Sequence, residues 1–192
     1  YYFFYFGFDV MYFSPIICLP LAIVGFIDDL LNIKSIYRIL IQVLTAIIIL
    51  YLSPFLIGSL NQNLLTLVFC VTIIVSIINF VNFMDGIDGL VASCMLVSIS
   101  TIFILRDNPV YLMCSIGSLL GFLMKNWSPA KVFMGDVGST FLGAYYSSLL
   151  FQSQDFYEVI GLLMINGPLF LDSCFCVIRR IIYKQNPFKA HR

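Results

Sequence analysis

Residues 64–90 read LLTLVFCVTIIVSIINFVNFMDGIDGL. The first part of this stretch is continuously apolar, and its last part is rich in Asn, Asp and Gly. A helix that crosses a bilayer needs about 20 mostly apolar residues, which residues 64–84 supply. A spanning strand would alternate apolar and polar residues, and an unclosed one would leave backbone groups unpaired in lipid. The stretch therefore predicts a membrane-spanning helix with a polar end at one membrane face.

The rest of the chain has the same apolar character. Of its 192 residues, 61% are hydrophobic and 10% are charged, whereas about a quarter of the residues in soluble domains are charged. This composition predicts an all-α, polytopic integral membrane protein. The same length criterion predicts seven spans, at residues 10–27, 39–57, 64–84, 90–105, 110–124, 140–151 and 159–178. The sixth is short, so we expect its helix to begin within the preceding loop.

The two ends of the chain bear on its domain organisation. The sequence begins at Tyr1, inside an aromatic run and without a methionine, and it stops at Arg192 directly after a polar segment. No linker or soluble domain interrupts the predicted spans. We therefore expect residues 1–192 to form a single transmembrane domain that is truncated at both ends.

The charged residues are distributed unevenly between the predicted loops. One set comprises loops 28–38, 85–89, 125–139 and 179–192, and it holds nine of the ten lysines and arginines. The alternate set holds Arg106 alone. The positive-inside rule therefore predicts that the first set is cytoplasmic. The net charge of zero gives no indication of nucleic-acid binding, and we expect no such partner.

The same cytoplasmic loops carry Asp28, Asp29, Asp85, Asp88 and Asp136. Carboxylates close to hydrocarbon are costly to desolvate and repel each other if they converge, so a divalent cation is the expected partner. Oxygen ligands without thiolate or imidazole favour magnesium, or manganese, over zinc or copper. Five aspartates are too many for one magnesium ion. Some should orient the attacking group, bind the nucleotide or sugar, or hold the lysines in place.

The spacing within these motifs predicts local structure. In Asn79-x-x-Asn82-x-x-Asp85-x-x-Asp88, each step of three residues advances about 300° on a helix, so the four cannot share one face. We expect Gly86 and Gly89 to end or bend the helix at Asp85 and to turn Asp88 back towards the site.

Small residues also characterise the segment 135–139, which reads GDVGS. They would let backbone N–H groups approach an anion. A helix that begins near Ser139 or Thr140 would present its positive end there.

Other interpretations of these features remain open. An Asp pair beside a span is commonly a cap or a turn, although three such clusters on one face are harder to explain in that way. Asn126 fits a loop residue, Phe133 an interfacial aromatic, and Lys125 and Lys131 positive-inside markers. Asp172, inside the seventh span, fits either a functional carboxylate or a structural hydrogen bond.

Two other classes of membrane protein, transporters and scaffolding proteins, also place carboxylates in or near the bilayer. A cation-coupled transporter would place its carboxylates near the bilayer midplane, whereas these collect at one interface. A scaffolding protein gives no reason for the clustering.

Three segments resemble the signature loops of a known family, in the same order. They are Asp28-Asp29-x-x-Asn32, Asn79-x-x-Asn82-x-x-Asp85-Gly-x-Asp88-Gly-Leu, and Asn126-x-x-Pro129-Ala130-x-Val132-Phe133-Met134-Gly135-Asp136-x-Gly138-Ser139. The family is that of the polyprenyl-phosphate N-acetylhexosamine-1-phosphate transferases, glycosyltransferase family 4. The segment Pro187–Arg192 resembles the start of its histidine motif. The peptidoglycan branch carries consecutive histidines in that loop, which this chain lacks, so the resemblance is nearer to the N-acetylglucosamine-1-phosphate branch that starts O-antigen and similar polymers.

The resemblance implies a function and a set of site residues. It implies a magnesium-dependent transfer of a sugar-1-phosphate from a UDP-N-acetylhexosamine to polyprenyl (undecaprenyl) phosphate, with release of UMP. The enzyme would lie in the bacterial inner (plasma) membrane with its active site on the cytoplasmic face, and a homodimer is one option. The implied metal ligand is Asp136, and the implied catalytic residues are Asp28, Asp29, Asp85 and Asp88. The implied substrate-binding residues are Asn32, Asn79, Asn82, Asn126, Lys125, Lys131, Phe133 and His191, with Phe133 against the uracil.

Overall fold

The computed structural model describes residues 13–54, 63–107, 109–153 and 156–183. Within these ranges all regular structure is helical, which confirms the all-α prediction. The helices are α1 (Ser14–Leu31), α2 (Ser35–Tyr51), α3 (Leu64–Met84), α4 (Leu90–Leu105), α5 (Val110–Asn126), α6 (Gly135–Phe151), α7 (Phe156–Ile165) and α8 (Gly167–Ile182).

The helices differ in their capacity to cross a membrane. By length and composition, α1 and α3 can each span a bilayer, and α7 with the first part of α8 passes only as a pair bent by 70°. Helices α2, α4 and α5 are apolar but shorter. The protein is thus an integral membrane protein with two or three such spans among the described residues, and the predicted count of seven is not confirmed.

Several predicted spans have different bounds in the structure. Helix α1 extends past residue 27 to Leu31, and α2 begins at Ser35 rather than at residue 39, so Asp28, Asp29 and Arg38 lie in helices and not in a loop. The seventh, residues 159–178, is not one helix, because the chain breaks between α7 and α8 at Asn166. Pro168 lies in the first turn of α8, where the missing N–H of proline removes no intrahelical hydrogen bond. Apolar composition alone did not reveal this break. The sixth span does begin within the preceding loop, as expected, and its helix starts at Gly135.

Helix α6 is the central element and packs against both α1 and α3. Its residues from Gly143 to Phe151 are all buried, and many of them are small. Small side chains allow close approach of helix backbones inside a membrane. A Cβ atom on Gly143 would lie only 2.8 Å from the Cα of Ile78 on α3, and one on Gly25 of α1 would lie 2.6 Å from the backbone oxygen of Asp136. The close approach at Gly25 fixes the first turn of α6 against α1, and the close approach at Gly143 fixes the middle of α6 against α3.

At the opposite end of the helices, Arg106 joins α4 to α6 and α7. Its Nη2 donates to the backbone oxygen of Leu149 at 2.9 Å and to Ser153 Oγ at 3.0 Å. The same nitrogen lies 3.6 Å from a carboxylate oxygen of Glu158. The two ends of the described bundle therefore both carry polar contacts, but the aspartates of the sequence motifs lie at the other end.

Candidate active site

Arg38, near the start of α2, joins two of the predicted site carboxylates. Its Nη1 lies 2.5 Å from Asp28 Oδ2 on α1 and 2.9 Å from Asp136 Oδ2 on α6. Its Nη2 donates to Asn82 Oδ1 on α3 at 3.4 Å. The side chains of Arg38, Asp28 and Asp136 are each no more than about a quarter exposed, so solvent weakens these interactions only in part. One guanidinium thus connects four helices.

Both carboxylate oxygens of Asp136 have partners. Arg38 binds Oδ2, while Asn82 Nδ2 donates to Oδ1 at 2.8 Å. Asn82 Nδ2 also lies 2.8 Å from Ser139 Oγ, one turn further along α6. The predicted metal ligand is therefore held in a fixed orientation by groups from α2 and α3.

Asp29 faces the N-terminus of α6. Its carboxylate accepts hydrogen bonds from the backbone N–H groups of Asp136 at 3.2 Å and of Val137 at 3.4 Å. A carboxylate is stabilised there by unpaired N–H groups and by the helix dipole. Gly135 has φ of +63°, and a Cβ on it would lie 2.7 Å from Asp29 Oδ2, so glycine is required. The positive end of α6 was expected near Ser139 or Thr140; it lies earlier, at Gly135, and Asp29 occupies it.

Asp85 follows α3 directly, which confirms the predicted helix end. Burial raises the pKa of its carboxyl to about 7, repulsion by Asp136 and Asp29 adds to that rise, and a backbone hydrogen bond from Gly135 opposes it. Asp85 therefore lies close to Asp29 and Asp136 and holds its proton more readily than an ordinary carboxyl. We call these three aspartates and Asp28, with Arg38 and Asn82, the carboxylate cluster.

Asp88 and Asn126 lie beside this cluster and order the loop that leads into α6. Asp88 Oδ2 accepts the Ala130 N–H at 3.0 Å, so its carboxylate contacts the loop that leads into α6. Asn126 is buried; its Oδ1 accepts the Gly89 N–H at 3.0 Å, and its Nδ2 donates to the Val132 oxygen at 2.9 Å. Their direct roles towards substrate stay predictions.

The remaining predicted residues lie outside the cluster. Asn32 ends α1 with a left-handed backbone, and its N–H donates to the backbone oxygen of Asp28 at 2.9 Å. Lys125, Lys131 and Phe133 are exposed. Their substrate contacts, like that of Asn32, stay predictions. His191 lies outside the described residues.

Sequence reasoning missed two residues, Arg38 and Gln42. Arg38 was interpreted only as one of the positive charges of a cytoplasmic loop. A signal was present, because closely placed carboxylates require compensation and Arg38 follows Asp28 by only ten residues. Gln42 lies one turn after Arg38 and is 1% exposed. A buried amide needs a partner, and its partner is Asn79 on α3.

The donor chemistry of the cluster fits a hard divalent cation. Asp85, Asp136 and Asn82 offer only oxygen ligands, and the carboxyl groups of the cluster outnumber its one guanidinium, which contacts Asp28 and Asp136. Among the described residues, no three side chains of His, Cys, Asp or Glu are grouped closely enough to form a complete metal site. Magnesium commonly completes a small protein ligand set with substrate phosphates and water, so this donor set suits it.

The buried amide of Asn126 yields a prediction about stability. We expect Asn126→Ala to lower the free energy of unfolding by about 2 kcal/mol, because it removes a buried amide that pairs the buried Gly89 N–H and also binds the Val132 carbonyl. Thermal unfolding of the detergent-purified protein measures the change. The matched control is Ser118→Ala on the same helix, where the exposed hydroxyl bonds only the Cys114 oxygen. Equal losses in both variants would contradict the structural role of Asn126.

Comparison with known proteins identifies the family. The model of glycosyl transferase family 4 matches residues 12–154, which contain every member of the carboxylate cluster. The chain belongs to glycosyl transferase family 4. Family 4 membership favours the enzyme over the transporter and the scaffold, and it confirms the resemblance seen in the three sequence motifs.

Curated relatives of this family 4 chain have consistent names. A Bacillus subtilis protein named "Probable undecaprenyl-phosphate N-acetylglucosaminyl 1-phosphate transferase" is 34% identical over 89% of this chain and 54% of its own length. A Thermotoga maritima undecaprenyl-phosphate alpha-N-acetylglucosaminyl 1-phosphate transferase is 39% identical over 37% of the chain and 24% of its own length. A Microcystis aeruginosa phospho-N-acetylmuramoyl-pentapeptide-transferase is 37% identical over 41% of the chain and 21% of its own length. The chain thus spans about half the length of the Bacillus relative.

Proposed function

We propose that this chain is the catalytic region of a magnesium-dependent enzyme that transfers an N-acetylhexosamine-1-phosphate from a UDP-sugar to undecaprenyl phosphate. UMP is the second product, and the lipid-linked sugar starts a cell-envelope polysaccharide such as O-antigen. The observation that supports this most strongly is the contact of Arg38 with both Asp28 and Asp136. It joins the residue expected at the acceptor phosphate to the residue expected at the metal.

The cluster suits a reaction between two anions. The acceptor phosphate and the donor pyrophosphate repel each other, so catalysis of phosphoryl transfer depends on positioning and on positive charge. Asp136, with Asp85 and Asn82, would hold magnesium, which when bound neutralises charge on the donor pyrophosphate. Arg38 orients Asp136 and Asp28, and Asp29 holds the first turn of α6 in place.

We favour direct transfer over a covalent aspartyl-phosphate intermediate. An oxygen of the acceptor phosphate, already anionic, attacks the sugar-bearing phosphorus of the donor. A new P–O bond forms as the bond from that phosphorus to UMP breaks, and UMP leaves with the electron pair. The carboxylate cluster then acts by orientation and charge. Lys125 and Lys131, both exposed in the neighbouring loop, are candidates for contact with the leaving phosphate.

The loop arrangement supports a location for this reaction. The carboxylate cluster lies among the loops that carry most of the lysines and arginines, so we place it on the cytoplasmic face of the bacterial plasma membrane. Nucleotide sugars are cytoplasmic, and the acceptor lipid reaches that face from within the bilayer.

The test uses the full-length protein in membranes supplied with undecaprenyl phosphate and magnesium. UMP release is measured with UDP-N-acetylglucosamine, UDP-N-acetylgalactosamine and a 6-deoxy derivative of the donor. We expect release with at least one of them, removed by EDTA and restored by magnesium. Absence of UMP release with every donor, in protein shown to be folded, would overturn the proposal.

The geometry of Arg38 gives a second prediction about activity. A guanidinium presents several donors in a fixed plane, whereas an ammonium is a single point charge. We expect Arg38→Lys to retain about a tenth of the wild-type kcat and Arg38→Met about a thousandth, since the loss of a preorganised charge costs about 10²–10³ in rate. UMP release measures both. Equal activity of the lysine and methionine variants would show that the charge at position 38 has no role.

A further inference from the structure

A pair of amides, the buried Gln42 and the half-buried Asn79, joins α2 to α3 beside the carboxylate cluster. Asn79 Nδ2 donates to Gln42 Oε1 at 2.8 Å, and Gln42 Nε2 donates back to Asn79 Oδ1 at 3.4 Å. Asn79 Nδ2 also lies 2.7 Å from the backbone oxygen of Val75. Because each amide both donates and accepts, the pair fixes distance and orientation together. Gln42 is 1% exposed, so water does not readily replace a hydrogen-bond partner that this side chain loses.

This amide pair is in register with the active site. Gln42 follows Arg38 by one turn of α2, and Asn79 precedes Asn82 by nearly one turn of α3, so each pair of side chains lies on one face of its helix. The outer two residues also meet, because Arg38 Nη2 donates to Asn82 Oδ1 at 3.4 Å. Helices α2 and α3 therefore meet through two successive polar contacts. A shift of α2 by one turn, about 5.4 Å, would break both of them.

We propose that the Gln42–Asn79 pair is a positioning device for Arg38. It sets the register of α2 against α3, so that the guanidinium lies between Asp28 and Asp136. Gln42 and Asn79 act through Arg38 and do not touch the substrate, which replaces the substrate contact that the sequence motif implied for Asn79. The inference rests on the proposed function, because Arg38 orients groups of that reaction.

A purely structural role makes a different prediction from a positioning role. If the two amides only satisfy each other's hydrogen bonds, replacing both by apolar side chains of similar size should change neither stability nor activity by much. If they set the register, the apolar replacement still folds but no longer specifies where Arg38 lies. The double variant Gln42→Leu with Asn79→Leu separates the two cases. The exchange variant, Gln42→Asn with Asn79→Gln, keeps the combined side-chain length and the capacity for reciprocal hydrogen bonds.

The experiment measures kcat and KM for UMP release by the full-length protein, together with the melting temperature in detergent. We expect the double leucine variant to fold and to lose about 10- to 100-fold in kcat, as a small misplacement of a catalytic group costs about that much. KM for the UDP-sugar should change by less than about threefold, because ground-state binding is not the interaction removed. The exchange variant should have a kcat close to that of the wild-type protein and well above that of the double leucine variant.

Several outcomes decide the inference. Wild-type kcat in a folded double leucine variant would overturn it, as would failure of the exchange variant to regain activity. If the leucine variant does not fold, the single variant Gln42→Asn is compared with the exchange variant, and equal kcat in the two overturns it. Ser147→Ala is the control, since that buried hydroxyl bonds only the Gly143 oxygen of its own helix. A wild-type protein without UMP release would instead refute the proposed function.

Discussion

Asp136→Asn is expected to reduce UMP release by about 10³-fold or more, because it removes the charge through which a metal ion would stabilise the transferring phosphate, a contribution of several kcal/mol. The substitution keeps the shape of the side chain, so the hydrogen bond with Asn82 can persist. Arg38 keeps its contact with Asp28. The loss should therefore appear in activity far more than in folding.

Measurements on full-length protein separate the two effects. UMP release at several magnesium concentrations gives activity, and Mn²⁺ binding followed by electron paramagnetic resonance gives metal affinity without turnover. Asp107→Asn is the matched control; it makes the same chemical change at a loop residue with φ of +53°, a conformation that Asn also tolerates. Full activity of the Asp136 variant would remove the metal role from this residue.

Gly25→Ala is expected to lower both stability and activity, although Gly25 carries no functional group. Its Cβ would lie 2.6 Å from the backbone oxygen of Asp136 and 2.7 Å from the nitrogen of Val137. Backbone atoms cannot rotate away as a flexible side chain can, so α1 and α6 must separate. Overpacking of this kind costs about 1–3 kcal/mol. A displacement near 1 Å in a catalytic site costs about 10²-fold in rate.

Two measurements follow, the melting temperature in detergent and UMP release. Both should fall in the Gly25 variant. Gly117→Ala serves as the control, because a Cβ built on that helical glycine would have no described atom within 4 Å apart from its chain neighbours and the adjacent backbone of its own helix. It should leave activity unchanged and stability equal or slightly higher, since alanine favours a helix by about 1 kcal/mol over glycine. Wild-type stability and activity in Gly25→Ala would show that α1 and α6 need not lie this close.

The sequence predicted the helical class of the protein and the group of aspartates at one end of the helices, and the physical reasons are plain. Long apolar runs determine where helices form in lipid, and α3 begins and ends where hydropathy placed it. The motif aspartates Asp28, Asp29, Asp85 and Asp136 do converge. Each lies at a helix end on the face that the loop charges had marked, so their approach followed from the topology of successive spans.

What the sequence did not reveal depends on contacts between distant helices. Asp29 caps a helix that begins 106 positions later at Gly135, and no local pattern specifies a cap supplied by another helix. In the sequence, Arg38 looks like any other basic residue of a cytoplasmic loop. Only the packing of α1, α2 and α6 shows that it contacts Asp28 and Asp136. The helix break at Asn166 lies in an apolar run, and hydropathy shows how long such a run is but not whether it forms one continuous helix.

The position of α6 between α1 and α3 has a consequence for the order in which the protein is assembled. Asp28 and Arg38 are ten residues apart and can pair as soon as α1 and α2 are made. The hydrogen bonds from α6 to Asp29 join residues 107 and 108 positions apart, so they form only after α1 to α5 have been synthesised. A ribosome that stalls within α5 leaves an inserted chain without Asp136. The carboxylate cluster therefore cannot form before α6 is synthesised and packs against α1.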